Sequence, residues 1–336
     1  MVKIKDIAER CGLSIASVSK ALHGDSDLNP KTAEYIRSVA KEMGYIPNAS
    51  ARLLKTKRSY NIGVLFVDET SSGLEHEYFS SMLNSIKDEA EKNGYDITFI
   101  SHHFGKNYLT FYEHAKYRNV DGVIIASVDF KDPEVMQLVE SEIPVVTVDY
   151  DFNGVASIVS DNVQGVRDIV NYLTSMGHKK IAFITGDDTS VTQKRIASFY
   201  NTCQENNITV KDEYVIKGRY HIPQVSGEAT RKLLNLEERP TVIMYPDDYS
   251  LLGGITEIEK HGLKIPKDIS VVGYDGIKLS RLFRPVITTY VQNSAGIGIK
   301  ATQKLIDLIE KPKTTINDRT LVTGSLQTGD TVKKIN

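Results

Sequence analysis

The stretch from Ile4 to Leu22, IKDIAERCGLSIASVSKAL, contains two short helical patterns joined by a glycine. The apolar residues of the first pattern recur at i, i+3, i+4 and i+7 and therefore share one helix face: Ile4, Ile7, Ala8 and Cys11. Gly12 predicts the end of this helix, and Ser14 stands where an N-cap hydroxyl of the next helix belongs. The inward stripe of that second helix is Val18, Ala21 and Leu22.

The opposite face of the second helix consists of Ile15, Ala16, Ser19 and Lys20. Small hydroxyl, small apolar and basic side chains suit a helix that lies in the major groove of DNA, as the second helix of a helix-turn-helix does. An ordinary helical hairpin with a solvated polar face is the alternative that the spacing alone leaves open.

A third helix and a short basic segment follow. Asn29-Pro30 predicts the start of the helix and Gly44 its end, which makes the N-terminal region a compact three-helix unit. Residues 48–58, NASARLLKTKR, then carry four basic residues and no acidic one. About two helical turns are expected within this segment, and a helix that short needs a partner to form in water.

Together with MGYIPN at 43–48 and YNIGVLF at 60–66, these motifs closely resemble the lactose-repressor/galactose-repressor (LacI/GalR) family of bacterial transcriptional regulators. The similarity extends over essentially the whole chain. It implies a sequence-specific repressor of carbohydrate-utilisation genes that binds a palindromic operator as a homodimer. It also implies that a small sugar-like effector controls operator affinity from a cleft between two lobes.

The resemblance assigns roles to particular residues of the N-terminal region. Base readout would fall to Ile15, Ala16 and Lys20, and phosphate contacts to Ser17 and Ser19. The hinge residues Ala51 and Leu54 would enter the minor groove, with Leu54 as a wedge at a base step. Lys20 replaces the arginine that most members carry, so the bidentate fork to guanine is lost and the operator sequence does not follow from the family.

The composition is that of an ordinary globular protein of several domains: 336 residues, 40% apolar and 25% charged. Its net charge of −2 hides an asymmetry, because residues 1–58 are +5 and the remainder is −7. A basic N-terminal region followed by an acidic remainder is typical of a DNA-binding region attached to a larger domain that DNA phosphates repel. No apolar leader and no long apolar window occur, which predicts a cytoplasmic protein without a membrane partner.

From Asn61 the pattern changes to apolar strands that alternate with helices, which indicates parallel sheets covered on both faces. The resemblance implies the two-lobed fold of periplasmic sugar-binding proteins. We expect a DNA-binding headpiece (1–46), a hinge helix and linker (47–59) and an effector-binding and dimerisation domain (60–336). The two lobes of that domain are expected at about 60–160 with 291–321, and at about 161–290 with 322–330. A single final strand near residues 320–326 would complete the second lobe.

Ligands of open α/β sheets bind beyond the carboxyl ends of the strands, so the interlobe cleft is the expected site. The strand-end candidates are Asp161, Arg195, Asp247, Asp248 and Asp275, whose charges suit paired hydroxyls. The resemblance supports all of these except Asp248 and adds the aromatic residues Tyr78, Phe79 and Tyr220. Capping of the following helix is the alternative role for Asp248, and core packing is the alternative for Tyr78 and Phe79. The long acidic loop DETSSGLEHEYF (68–79) departs from the family, as do Ser198 and Gly276, so the effector's identity does not transfer.

Other function classes find little support in the sequence. The motifs GxGxxG, GxxxxGK[ST] and GxSxG are absent, which argues against an enzyme or a nucleotide cofactor. His102 and His103 are adjacent on a predicted strand and point to opposite faces, and Cys11 and Cys203 lack CxxC spacing, so no metal is predicted. Two alternatives stay open: a regulator activated by a corepressor, which is a metabolite or a phosphocarrier protein, and a solute-binding sensor that does not bind DNA.

Overall fold

The computed structural model describes residues 2–23, 28–46, 57–67, 74 and 76–335. Two compact units make up the chain, Met1–Ser59 and Tyr60–Asn336, and each is described by itself. The hinge residues Ala51 and Leu54 lie outside the described residues.

The first unit contains helices α1 (Ile4–Cys11), α2 (Ile15–His23) and α3 (Pro30–Glu42). Gly12 follows α1 in the left-handed conformation, with φ of 67°, and its N–H closes the helix end. Ser14 Oγ accepts from the backbone N–H of Ser17 at 3.0 Å, which is the predicted N-terminal hydroxyl contact of α2. The inward stripes form one core whose fully buried members include Ile7, Val18, Ala21 and Ile36. The two predicted helices joined at Gly12 and the predicted third helix are confirmed.

The strands of the second unit are numbered in chain order: β1 (Asn61–Phe66), β2 (Asp96–Ile100), β3 (His103–Phe104), β4 (Asn107–Tyr108), β5 (Gly122–Ser127), β6 (Val145–Val148), β7 (Ala156–Ser160), β8 (Ile181–Thr185), β9 (Val215–Lys217), β10 (Val242–Met244), β11 (Ser270–Asp275), β12 (Thr289–Val291), β13 (Arg319–Val322) and β14 (Ser325–Gln327). Its helices are α4 (Glu77–Lys92), α5 (Phe111–Arg118), α6 (Pro133–Val139), α7 (Asn162–Ser175), α8 (Ser190–Glu205), α9 (Pro223–Leu234), α10 (Asp248–Lys260), α11 (Lys278–Leu282) and α12 (Ser294–Glu310).

Two six-stranded sheets form the two lobes of this unit. The first has the order β13-β7-β6-β5-β1-β2 and the second β14-β12-β11-β10-β8-β9. All pairings within them are parallel except that of β12 with β14. Central strands such as β5 and β8 are buried along almost their whole length, because helices cover both faces of each sheet. The predicted α/β fold with parallel sheets is confirmed.

The chain passes between the lobes at three places. It leaves the first sheet after β7, returns after β12 when α12 packs on the core beside α4, and crosses once more between β13 and β14. The sequence-based expectation of one strand near 320–326 is wrong, because two strands flank the final crossing. Strand β13 extends the first sheet through β7, and β14 extends the second through β12.

Gly324 explains why this final segment is divided. Its N–H donates to the Tyr290 hydroxyl at 3.0 Å, and a β-carbon at this position would lie 2.2 Å from the carbonyl oxygen of Val291. A residue with a side chain would therefore clash with β12, so the chain can turn from one sheet to the other here only through a glycine.

Candidate functional site

The carboxyl ends of the strands of the second lobe bring three aspartates together. Asp247 follows β10, Asp248 begins α10, and Asp275 ends β11. The parallel strands point to the same edge of the sheet, which is why residues distant in sequence meet there. This edge is the cleft side of the lobe.

Asp247 fixes two segments at once. Its Oδ1 accepts from the backbone N–H of Ser250 at 2.7 Å and so caps α10, and its Oδ2 accepts from the backbone N–H of His221 at 3.0 Å. Asp248 instead holds the turn after β11, because its Oδ2 accepts from the N–H groups of Gly276 and Ile277 at 2.8 and 3.0 Å. The capping role considered for Asp248 therefore belongs to Asp247.

These three carboxyl groups differ in their electrostatic surroundings. Burial raises the pKa of Asp248 well above its ordinary value of 3.8, and burial together with the charge of Asp247 raises the pKa of Asp275. Burial opposes ionisation of Asp247 too, but its hydrogen bond to His221 and the charge of that residue hold the pKa of Asp247 below its ordinary value. Asp247 is consequently the carboxylate most readily ionised.

Arg195, on α8, is the cation beside these three aspartates, and this residue is only 4% exposed. Its Nε donates to Asn162 Oδ1 at 2.8 Å, and one terminal nitrogen donates to the carbonyl oxygen of Pro246 at 2.9 Å. The guanidinium carbon lies 3.6 Å from the centroid of the Tyr274 ring. These contacts fix the plane of the guanidinium, which is the geometry that recognition of paired oxygens requires.

Two other candidates of the second lobe are held by local contacts. Asp161 caps α7, because its Oδ1 accepts from the backbone N–H of Gln164 at 3.0 Å. The Tyr220 hydroxyl lies 2.7 Å from Thr192 Oγ1, and its ring lies so close to Gly186 that a β-carbon there would meet it at 2.2 Å. Tyr220 therefore lies beside α8 near Arg195, with 5.8 Å between the guanidinium carbon and the ring centroid.

The first lobe contributes mainly aromatic and hydroxyl groups. The Tyr78 hydroxyl donates to Asp149 Oδ2 at 3.0 Å, and Asp149 Oδ1 accepts from the backbone N–H of Ser160 at 2.6 Å. Phe79 packs edge-on against Phe66, with 5.0 Å between ring centroids, and contacts the core of the lobe. Both Phe79 and Tyr78 pack against this core, and Tyr78 also reaches the strand ends through its hydroxyl.

Side chains from the two lobes meet across the cleft. His76 Nε2 lies 2.9 Å from His221 Nδ1, and Glu77 Oε1 accepts from the backbone N–H of Lys278 at 2.9 Å. Lys194 Nζ of the second lobe also lies 3.3 Å from Asp151 Oδ2 of the first. The lobes are therefore in contact along the edge where their strands end.

The sequence-based search missed several residues at this edge. Asp149 follows β6, so the rule that identified Asp247 applies to it equally well. Asn162 and Gln292 matter through their partners, because Gln292 Nε2 donates to Asp275 Oδ1 at 2.6 Å. His76 and His221 gave no signal, because 145 residues separate them.

The candidate nucleic-acid interface is the outer face of α2. Ile15 is 54% exposed at the start of this helix, Ala16 and Lys20 are exposed, and Ser17 and Ser19 are half-buried. An exposed isoleucine and alanine match apolar contact with a thymine methyl group in the major groove. Val18 points the other way and is fully buried. The five residues predicted for DNA contact thus lie on the part of α2 that the core leaves accessible.

A helix-turn-helix followed by a two-lobed α/β ligand-binding unit defines the class of ligand-controlled DNA-binding regulators. The family model described as bacterial regulatory proteins, lacI family, matches residues 3–48. The model described as a periplasmic binding protein-like domain matches residues 170–332.

Comparison with whole proteins specifies the family. The probable HTH-type transcriptional repressor ExuR of Bacillus subtilis (strain 168) is 30% identical, over 94% of this chain and 93% of its own length. Catabolite control protein A of Priestia megaterium is 30% identical, over 92% and 93%. The lac repressor dimer bound to operator and the anti-inducer ONPF matches with a TM-score of 0.80 at 26% identity, over 99% of both chains. The chain belongs to the lacI family of bacterial regulatory proteins.

These findings confirm the family and the general function predicted from the sequence. The relatives are named as repressors and a control protein, which supports a DNA-binding regulator and not an enzyme. Among the described residues, none of the helices combines the length and apolar character needed to cross a bilayer.

Proposed function

We propose that this chain is a cytoplasmic repressor of carbohydrate-utilisation genes that binds a palindromic operator as a homodimer. A small polyhydroxylated effector in the interlobe cleft controls its operator affinity. The observation that carries the proposal is the buried guanidinium of Arg195, fixed by Asn162 and 3.6 Å from the Tyr274 ring centroid, near the strand end at Asp275. Fixed donors and acceptors at one edge are suited to the paired hydroxyls of a sugar.

The charge at the cleft narrows the chemical class of the effector. Among the residues that the structure describes at this edge, Asp149, Asp161, Asp247 and Asp275 outnumber the one buried guanidinium, that of Arg195. A neutral sugar or one with a single acidic group fits this balance better than a phosphorylated effector does, because carboxylates repel phosphate.

In this mechanism Tyr78, Tyr220, Arg195, Asp161, Asp247 and Asp275 contact the effector or orient the groups that do. Phe79 and Asp248 support them, through the core of the first lobe and the turn after β11. Closure of the lobes changes the spacing of the two hinge segments of the dimer, and the hinge helices form on DNA or melt. Ile15, Ala16 and Lys20 read bases, with Ser17 and Ser19 at the phosphates.

The test is recovery of genomic DNA fragments by the purified protein at moderate salt, with and without metabolites from a cell extract. We expect a palindromic motif near genes of sugar utilisation, and a change in recovery when the metabolites are added. The direction of that change shows whether the effector releases the repressor or acts as a corepressor. Binding that stays weak, salt-sensitive and independent of sequence would contradict the proposal.

A hinge variant tests the DNA contact separately. Leu54→Ala should weaken operator binding roughly tenfold by removal of the minor-groove wedge, with effector affinity near that of the wild type. Leu53→Ala is the matched control, because it removes the same side chain from the neighbouring position. Fluorescence anisotropy with labelled operator measures both, and equal affinities for the two variants would rule out Leu54 as the wedge.

A further inference from the structure

Three potential metal ligands meet where the lobes touch. One ligand atom each from His76, His221 and Asp275 can be chosen so that all three lie within 4.8 Å of one another. His76 directly precedes α4 of the first lobe, His221 lies between β9 and α9 of the second, and Asp275 ends β11. The cluster therefore draws its members from both lobes.

The two imidazole rings lie close together, and packing restricts the movement of His76. His76 Nε2 lies 2.9 Å from His221 Nδ1 and 2.5 Å from His221 Nε2, and the ring centroids are 3.7 Å apart. His76 is 9% exposed and packs edge-on against Phe79, which restricts its movement. Two ring nitrogens at this distance share either a proton or a cation, because two lone pairs would repel each other.

His221 is oriented by a carboxylate of its own lobe. Asp247 Oδ1 lies 3.5 Å from His221 Nδ1, and Asp247 Oδ2 accepts from the backbone N–H of His221 at 3.0 Å. The backbone of His221 has φ of 57°, in the left-handed region that disfavours a side chain, so this hydrogen bond holds a strained residue in place. A carboxylate beside a ligating histidine is the usual arrangement behind a metal-bound imidazole.

We propose that His76, His221 and Asp275 bind one divalent transition-metal ion that bridges the two lobes. Two imidazoles and a carboxylate form a ligand set typical of Zn²⁺, and three protein ligands leave a position for water or for an oxygen of a cleft ligand. Tetrahedral ligands of Zn²⁺ are about 3.3 Å apart, so shifts of about 1 Å in the side chains would complete the site. The ion would also offset the excess of carboxyl groups around Asp275.

The regulatory consequence rests on the proposed function. Because the ligands come from both lobes, the ion binds the closed arrangement preferentially and shifts the lobes toward it. The metal would then act on operator affinity in the same direction as an effector that closes the cleft.

Binding is tested on the full-length protein without a histidine tag, freed of metal by dialysis against EDTA. Titration with ZnCl₂ in a calorimeter should show one equivalent per chain, and CoCl₂ should give visible ligand-field absorption. His76→Gln and His221→Gln should each abolish that equivalent, and Asp247→Asn should weaken it about tenfold or more. His261→Gln, in the surface imidazole after α10, is the matched control and should bind like the wild type.

Two variants keep the test interpretable if one fails to fold, and circular dichroism checks each of them. Absence of a stoichiometric equivalent in the wild type, or its persistence in both His76→Gln and His221→Gln, would overturn the site. Operator affinity is then compared in Zn²⁺ and in EDTA. If His76→Gln removes an effect of zinc on operator affinity, the regulatory link is supported. If operator affinity is the same with and without zinc although one zinc ion binds per chain, the regulatory link is overturned and the metal site is retained. Zinc binding without any specific operator would contradict the proposed function alone.

Discussion

The two lobes present different surfaces to the cleft. In the second lobe, Arg195, Asp247 and Asp248 are almost fully buried, and each is bound to groups of its own lobe. In the first lobe the corresponding edge consists of Tyr78, Asp149 and Ser160, linked by hydroxyl and carboxylate contacts. We propose from this comparison that the second lobe is the pre-organised receptor for the effector and that the first lobe closes upon it.

The largest effect expected from this comparison is that of Arg195→Ala. The change leaves Asn162 Oδ1 and the carbonyl oxygen of Pro246 without their donor in a buried site, which should cost about 3 kcal/mol of stability. It should also abolish the response to effector, while operator binding is retained. Urea denaturation and operator binding with added effector measure the two effects.

Arg219→Ala is the matched control for that substitution. Arg219 also lies on the second lobe, but its side chain is half exposed and pairs with Asp187 on the surface. Its loss should change stability by less than about 1 kcal/mol. A normal effector response in Arg195→Ala would show that Arg195 is not part of the effector site. It would also contradict the assignment of the second lobe as the receptor.

A smaller effect is expected in the first lobe. Tyr78→Phe removes the hydroxyl that donates to Asp149 Oδ2, which should cost about 1 kcal/mol of stability and weaken effector binding by several-fold. Tyr112→Phe, whose hydroxyl contacts the surface residue Glu142, is the control and should be close to neutral. If Tyr78→Phe reduces effector affinity more than Arg195→Ala does, the assignment of receptor and closing lobe is reversed.

The smallest effect concerns the pH dependence of the second lobe. Burial raises the pKa of Asp248 in the folded chain above its ordinary value of 3.8, so the folded state binds more protons than the unfolded state as pH rises past that value. The free energy of unfolding must therefore decrease between the ordinary and the folded pKa. Asp248→Asn removes this loss, and thermal unfolding should show a shallower decline in stability toward neutral pH.

Asp247→Asn complements this test, because the pKa of Asp247 is shifted in the opposite direction to that of Asp248. The pKa of Asp247 is lowered in the folded chain, so its ionised form contributes stability above the unfolded pKa that is lost as pH falls through the folded pKa. The variant should lack that contribution at neutral pH. Equal pH profiles for the two variants would contradict the assignment of different charge states to these neighbours.

Local patterns in the sequence were sufficient to predict the headpiece and the class of the larger unit. Gly12 and Ser14 define helix ends through backbone chemistry that acts within a few residues, and apolar runs such as β5 are predicted by composition alone. The strand-end rule likewise predicts where Asp247 and Asp275 lie, because it depends only on the direction of parallel strands.

Contacts that depend on how distant segments come together in the fold could not be predicted from these local patterns. The meeting of His76 with His221 depends on how two lobes approach each other, and no spacing in the sequence encodes it. The division of the expected strand at 320–326 depends on the narrow space beside Val291, which only Gly324 fits. The different proton affinities of Asp247 and Asp248, neighbours in sequence, depend on which backbone groups each one meets.

The division of that final segment has a consequence for synthesis on the ribosome. Strands β13 and β14 each add an edge to a different sheet, and both lie after residue 318. The three-helix headpiece can complete its core as soon as α3 has emerged, because its contacts are local. In contrast, one side of β7 and one side of β12 stay unpaired until almost the whole described chain has been translated. An unpaired strand side is where a nascent chain is most exposed to mispairing with its neighbours.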